Sequence, residues 1–309
     1  MSYDGPLCDV HTHVYPDEVT RTPFATGYHL NLVGNTGLVP DAKEYMAKAG
    51  VERLNMLMMC APSYRYHELT RGITFSATPE AIAADDEALE TAVAEMISYN
   101  EFGMEQIRAD PAFRFSVGLD PALMSPEVMM GELENKHRRG ATGVKLVPLD
   151  YCITLDDPRH DPIWDYCQTH RLPVTHAPGW PCYYKTTGWR RQFGSPFELA
   201  EVYRRFPRLR TCASHLADAP LLAEIGKRYA GVHSDLSAIL LKVAKGGMNA
   251  DELVHHTRGI GVDRVLFGTN LGTMPTENVY LQAEAFRTLP MTDDELRRIG
   301  YDNYSALLG

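Results

Sequence analysis

An α/β chain closing into one distorted (β/α)8 barrel is what the sequence predicts, on three grounds. Short β-branched runs alternate with longer helical patterns, which is the signature of βα units and a parallel sheet. There are eight such runs. Three segments too long to be simple connections each follow a strand, on the face where a barrel carries its active-site loops. One barrel accommodates 309 residues, since such domains run to roughly 250 residues or more. A doubly wound open sheet is the alternative the same alternation allows.

The elements follow in order. The first strand is Leu7–Val10, and a helix over Asp41–Ala49 leads to the second, Val51–Met59. A long helix, Asp85–Ala109, precedes the third strand, Phe113–Gly118. Ser125-Pro126-Glu127 puts a cap residue before a proline at the first helical position and opens the helix Ser125–Arg139. The fourth strand is Thr142–Val147 and the fifth Leu172–His176, with the helix Asp161–His170 between them. Ser195-Pro196-Phe197 repeats the cap-proline signal for Pro196–Phe206. Strand six, Leu209–His215, is followed by Ala219–Tyr229, and strand seven, Gly231–Leu236, by Asp251–Arg258. The last strand, Arg264–Gly268, leads into Thr276–Thr288. Thr292-Asp293-Asp294-Glu295 reads as a capping box opening a C-terminal helix. The long segments are Tyr15–Pro40, Ala61–Asp85 and Pro178–Ser195. No repeat, low-complexity tract or linker interrupts residues 1–309, so one domain is expected.

Composition narrows the function. Lys and Arg number 30 against 40 Asp and Glu, a net charge of −10. The acidic balance, with a pI near 5.6, disfavours general binding to nucleic acid or anionic membranes. A hydrophobic content of 44% with 23% charged residues is globular usage, not disorder. The start, MSYDGPLCDVHTH, has neither the basic nor the apolar region of a signal peptide. No window reaches the roughly 18 apolar residues of a membrane span. A cytoplasmic protein is therefore expected. The six cysteines are scattered without a CxxC pair, which points to reduced thiols, mostly in the core, rather than a structural zinc knot.

The chemistry concentrates at strand ends. Asp9-Val10-His11-Thr12-His13 closes the first strand, and alternation along a strand puts His11 and His13 on one side. Two imidazoles there can share a divalent ion, with Asp9, in step with them, placed to orient a ligand. Strand five ends in His176 and strand six in His215. Each histidine alone reads as a satisfied core or surface residue. Together, at one end of a barrel, they point to metal binding or catalysis.

The phrases DVHTHVYP, RGATGVKLVP, LPVTHAPG, ASHLADA and VLFGTNLG, in this order, resemble the amidohydrolase superfamily. More narrowly they resemble its amidohydrolase-2 branch, which includes aminocarboxymuconate-semialdehyde decarboxylase and related aromatic-acid decarboxylases. The resemblance runs from Asp9 to the final DNYSALLG. It implies a distorted TIM barrel with a mononuclear metal site. The implied ligands are His11, His13 and His176, and His215 takes the place of the catalytic histidine. The implied ion is zinc, with manganese or iron as alternatives. The family's last ligand, an aspartate ending strand eight, is Asn270 here. Asparagine offers a neutral carbonyl oxygen and cannot act as a general base. An engineered change, a natural variant with His215 as base, or lost catalysis would each explain it. Lys145, near the end of strand four, reads either as a buried lysine held by a carboxylate or as a holder of a substrate anion.

The long loops suggest the substrate. Tyr64 and Arg65 follow strand two, and Trp180 follows strand five among Tyr183, Tyr184 and Arg190. Aromatic walls with arginine forks suit a small planar or unsaturated carboxylate; a solvated charged loop is the plainer account. Arg65 is the expected carboxylate clamp. Asn100 lies mid-helix, either reaching the mouth or solvated. Met56, Met58 and Met59 are expected in the core, and His255-His256 at the surface. Three functions remain: a metal-dependent hydrolase, a non-oxidative decarboxylase, and a catalytically silent binding protein. A homodimer is compatible with the aromatic loops.

Overall fold

The structure, a computed structural model, describes residues 2–17, 37–59, 62–73, 77–178 and 193–309. Eight strands form one parallel sheet in sequence order. They are β1 (Leu7–Thr12), β2 (Val51–Leu57), β3 (Phe113–Gly118), β4 (Gly143–Leu146), β5 (Pro173–His176), β6 (Arg210–Ala213), β7 (Val232–Asp235) and β8 (Val265–Leu266). The expected strands are all present. Strand six ends early, because the chain turns at Ser214–Leu216 and leaves His215 beyond it.

β8 is only two residues long, and closure falls to the chain just after it. Val10 N–H donates to the Phe267 carbonyl at 3.0 Å and His13 N–H to Leu271 at 2.7 Å. Asn270 N–H returns a bond to the His11 carbonyl at 2.9 Å. Thr12 and Leu271 form a parallel bridge. These bonds seat residue 270 beside both β1 histidines, as barrel closure requires.

The helices are α1 (Val39–Ala49), α2 (Pro62–Leu69), α3 (Pro79–Ala109), α4 (Pro126–Arg138), α5 (Pro148–Tyr151), α6 (Asp161–His170), α7 (Pro196–Arg205), α8 (Ala219–Gly226), α9 (Ile239–Ala244), α10 (Ala250–Ile260), α11 (Thr276–Arg287), α12 (Asp293–Arg297) and α13 (Asn303–Leu308). α3 begins six residues before the expected Asp85. Thr78 accepts from the Ala81 N–H and Pro79 takes the first helical position, the same cap-proline device as Ser125-Pro126. α2 lies inside what reads as a long loop, and α9 follows β7 where no helix is expected.

The apolar core runs between sheet and helices, with Trp164, Tyr45, Phe113 and Phe286 among its fully buried side chains. Tyr304, Leu307 and Leu308 of α13 pack on Cys8, Val10, Cys212 and Leu266 from β1, β6 and β8. Cys8, Cys167 and Cys212 are buried free thiols and Cys152 is half-buried and free; Cys60 and Cys182 lie outside the described residues. No described helix is long and apolar enough to cross a membrane.

Candidate metal centre

Two glycines let the chain after β8 lie against β1. A Cβ on Gly268 would stand 3.0 Å from the His11 Cβ, and one on Gly272 would meet the His13 carbonyl oxygen at 1.9 Å. Between them Asn270 holds φ +61°, a left-handed conformation that asparagine tolerates better than most residues.

Each of three histidines has its Nδ1 anchored. His11 Nδ1 lies 2.9 Å from Asp235 Oδ2 at the end of β7. His13 Nδ1 lies 3.0 Å from the Leu57 carbonyl and His215 Nδ1 3.1 Å from the Ser237 carbonyl. A carbonyl only accepts, so Nδ1 carries the proton in His13 and His215, and Nε2 keeps the lone pair. His215 stacks on His11, with centroids 4.8 Å apart, and His13 meets His11 edge-on at 5.1 Å. His215, Leu216 and Ala217 all have positive φ. Three such residues in succession, none glycine, mark the strained backbone found where a side chain must be held.

A cavity of about 210 Å³ opens here. Its polar lining is His11, His13, Lys145, His215, Asn270 and Thr273, and its apolar lining includes Met59, Leu149, Pro178 and Met274. Lys145 is 1% exposed and its Nζ has no hydrogen-bond partner. His176 ends β5 just before the lining residues Ala177 and Pro178; it is fully buried, and neither ring nitrogen has a partner.

Burial keeps the imidazoles neutral. It lowers His11 to about 4, although Asp235 pulls the other way, and His176 to about 3, with help from the Lys145 charge. His13 is held well below the ordinary value by burial and by His11, and His215 is lowered by burial. Burial also lowers Lys145 to about 8. Burial alone would raise Asp235, but the His11 imidazole overrides it and keeps the carboxylate ionised.

A family model described as amidohydrolase matches residues 8–309. The chain belongs to the amidohydrolase family. It is therefore an enzyme of that family. No curated protein sequence matches it. Among solved structures it resembles an uncharacterized TIM-barrel protein from Bordetella bronchiseptica, at 17% identity and TM-score 0.68 over 98% of both chains. It resembles 2,6-dihydroxybenzoate decarboxylase from Rhizobium at 15% identity and TM-score 0.68, again over 98% of both chains. A third is dihydroxybenzoic acid decarboxylase from Polaromonas, with bound manganese and the inhibitor 2-nitroresorcinol, at 15% identity and TM-score 0.68 over 98% of this chain and 97% of that one. Likeness at this level carries the barrel fold.

The donor set of this amidohydrolase fits a divalent ion on its own geometry. His176 has two buried nitrogens and nothing to bond. His13 Nε2, with its lone pair, faces the Asn270 side-chain oxygen at 3.0 Å. Two acceptors at that distance need a cation, or the amide NH2 in place of the oxygen. Neutral imidazoles are the form a metal takes. A second grouping, the ligand atoms of His11, His215 and Asp235, lies within 4.8 Å of one another. There Asp235 is already committed to His11 Nδ1 and to the backbone N–H groups of His215 and Ser237. It therefore reads as the carboxylate that orients His11 and the turn carrying His215, and leaves their Nε2 atoms to the cavity.

Other expected site residues fall elsewhere. Arg65, on α2, bonds both Glu95 oxygens at 3.1 Å through Nε and is absent from the described cavity lining. Lys145 is the cation that the described lining contains. Trp180 and the Tyr64 side chain lie outside the described residues. Asp9 does not touch either imidazole. The β1–β2 register shifts between Asp9 and Thr12, so simple alternation fails there. The carboxylate accepts from Tyr45 of α1 at 2.9 Å and Thr269 Oγ1 at 2.6 Å instead. Asn100 is neither solvated nor at the mouth; it is buried and bonded to both backbone groups of Gly118. Met56 and Met58 are core, Met59 lines the cavity, and His255 is exposed. Asp235 and Ser237 escaped the sequence reading. Their one signal was position, since strand seven ends in an aspartate at the same face as the histidines.

Proposed function

We propose that this amidohydrolase is a metal-dependent, non-oxidative decarboxylase of a small planar or unsaturated carboxylic acid. The observation that carries the reading is Asn270 together with a described cavity lining that has no carboxylate. Metal-assisted hydrolysis draws on a base at this position to take the proton of water, and an amide cannot do that. Loss of carbon dioxide needs no activated water. A divalent ion, whether zinc, manganese or iron, held by His11, His13 and His176 with the Asn270 oxygen, would supply positive charge to bind the carboxylate and stabilise the charge left as carbon dioxide departs.

The chain's own groups do the rest. Lys145 Nζ, buried without a partner, pairs with an anionic oxygen of the substrate and fixes its orientation. Met59, Leu149 and Met274 offer an apolar wall to a flat ring or alkene. His215, with Nδ1–H on the Ser237 carbonyl, exchanges a proton at Nε2: from an acidic hydroxyl or enol of the substrate to the carbon that loses carbon dioxide. That same free Nε2 supports the second reading, hydrolysis with His215 as base.

The test loads the protein separately with Zn²⁺, Mn²⁺ and Fe²⁺ and offers carboxyl-13C-labelled hydroxybenzoates and unsaturated acids, with lactones and amides alongside, in 18O-water. Labelled carbon dioxide with no 18O in the organic product is expected. Incorporation of 18O without carbon dioxide would replace this reading by hydrolysis. Binding without turnover for all three metals would leave a silent binding protein.

A further inference from the structure

Ser237 stands where three groups of the site meet. Its Oγ lies 2.8 Å from His215 Nδ1 and 3.2 Å from His11 Nδ1, and it donates to Asp235 Oδ1. A hydroxyl has one proton to give and two lone pairs. With the proton on the Asp235 carboxylate, both lone pairs face the two imidazole nitrogens, and only N–H groups satisfy that arrangement. Other acceptors agree: Asp235 Oδ2 shares the His11 proton, and the Ser237 carbonyl shares that of His215. Ser237 is fully buried, so no bulk water replaces these bonds. A Cβ on Gly268 would stand 3.3 Å from the serine Cβ, so the glycine leaves room for the serine at this depth.

We infer that Ser237 is a positioning residue that locks His11 and His215 into the same Nδ1–H tautomer, so that both keep Nε2 for the cavity. One carboxylate then serves two histidines, His11 directly and His215 through the serine hydroxyl. The inference concerns the imidazoles at rest and holds for decarboxylation and hydrolysis alike; it rests on the proposed function only in taking His11 and His215 as working groups.

Ring 15N shifts of histidine-labelled protein read the tautomers directly, with single-histidine replacements for assignment. In the wild-type protein without substrate, protonated Nδ1 and bare Nε2 are expected for both His11 and His215. Nε2–H in either ring overturns the inference, whether or not any variant folds. In Ser237→Ala, His215 Nδ1 keeps only the longer contact to the backbone carbonyl of residue 237, and some Nε2–H tautomer is expected there, while His11, still on Asp235, keeps its own. Zn²⁺ affinity measured by chelator competition is expected to fall about 10-fold to 100-fold, the range for loss of a ligand's supporting hydrogen bond. A folded Ser237→Ala protein with unchanged ring shifts and affinity within twofold of wild type would also overturn it. Failure to release carbon dioxide touches neither readout, so the two proposals fail separately.

Discussion

Asn270 faces His13 Nε2 across 3.0 Å, and the amide's neutrality decides how tightly that corner holds a cation. Aspartate there would keep the same shape and tolerate the same left-handed backbone while adding a full negative charge. Asn270→Asp is therefore expected to raise metal affinity by about 10-fold to 100-fold. Protein purified without added metal should carry close to one ion per chain in both forms by elemental mass spectrometry. Metal in the aspartate form alone would mean that the three histidines do not suffice, and would sink the metal-dependent reading of this sequence. The histidines were legible because an HxH at a strand end and two more strand-ending histidines repeat one pattern. Asp235 and Ser237 repeat nothing, and their role arises only when β7 is brought beside β1 and β6. Arg65 shows the other side of this. An arginine in a loop-like stretch reads as a clamp, and sequence gives no sign that Glu95, thirty residues on in α3, bonds its Nε.

Element by element, the strands read well because a buried parallel strand is a short apolar run with clear ends. Helices read well where a cap and a proline mark the start. α3 shows the limit: its first turns, Pro79 to Asp85, are largely exposed and lack apolar periodicity, so the cap-proline signal at Thr78-Pro79 was the only cue. What holds α3 to the barrel is equally hidden from pattern. Asn100 Nδ2 donates to the Gly118 carbonyl at 3.0 Å and to Glu132 at 2.9 Å, while its oxygen accepts from Gly118 N–H at 2.9 Å. A polar residue mid-helix thus joins α3 to the end of β3 and to α4. Asn100→Ala strands a buried N–H, a carbonyl and part of a carboxylate, and should cost about 3 kcal/mol of unfolding free energy. Urea denaturation at neutral pH measures it. A loss below about 1 kcal/mol would mean that the three bonds are replaced or unimportant.

For the molecule as a whole, acid stability follows from how many buried groups titrate in each direction. Seven described histidines are held below their ordinary value: burial lowers His11, His160 and His233 to about 4 and His176 to about 3, with His13, His137 and His215 also lowered. As pH falls from 6.5, the unfolded chain protonates these rings while the folded chain does not, so their contribution is lost on acidification. Asp9 and Asp120 work the other way, since burial raises them to about 7 and about 6 and the fold binds their protons first. Seven groups outweigh two, and stability is expected to fall between pH 6.5 and about 4. His160 isolates the effect away from the metal centre. It is fully buried, stacks on Trp164 at 5.6 Å and 21°, and leaves Nδ1 without a partner. His160→Phe keeps the stacked ring and removes one titrating group. The slope of unfolding free energy against pH should then flatten by up to about 1.4 kcal/mol per pH unit across that window, the value of one proton. Denaturant melts at pH 7, 6, 5 and 4 compare the two proteins. Parallel slopes would show that His160 takes its proton in the folded state as readily as in the unfolded chain, and that the buried ring is reached by water.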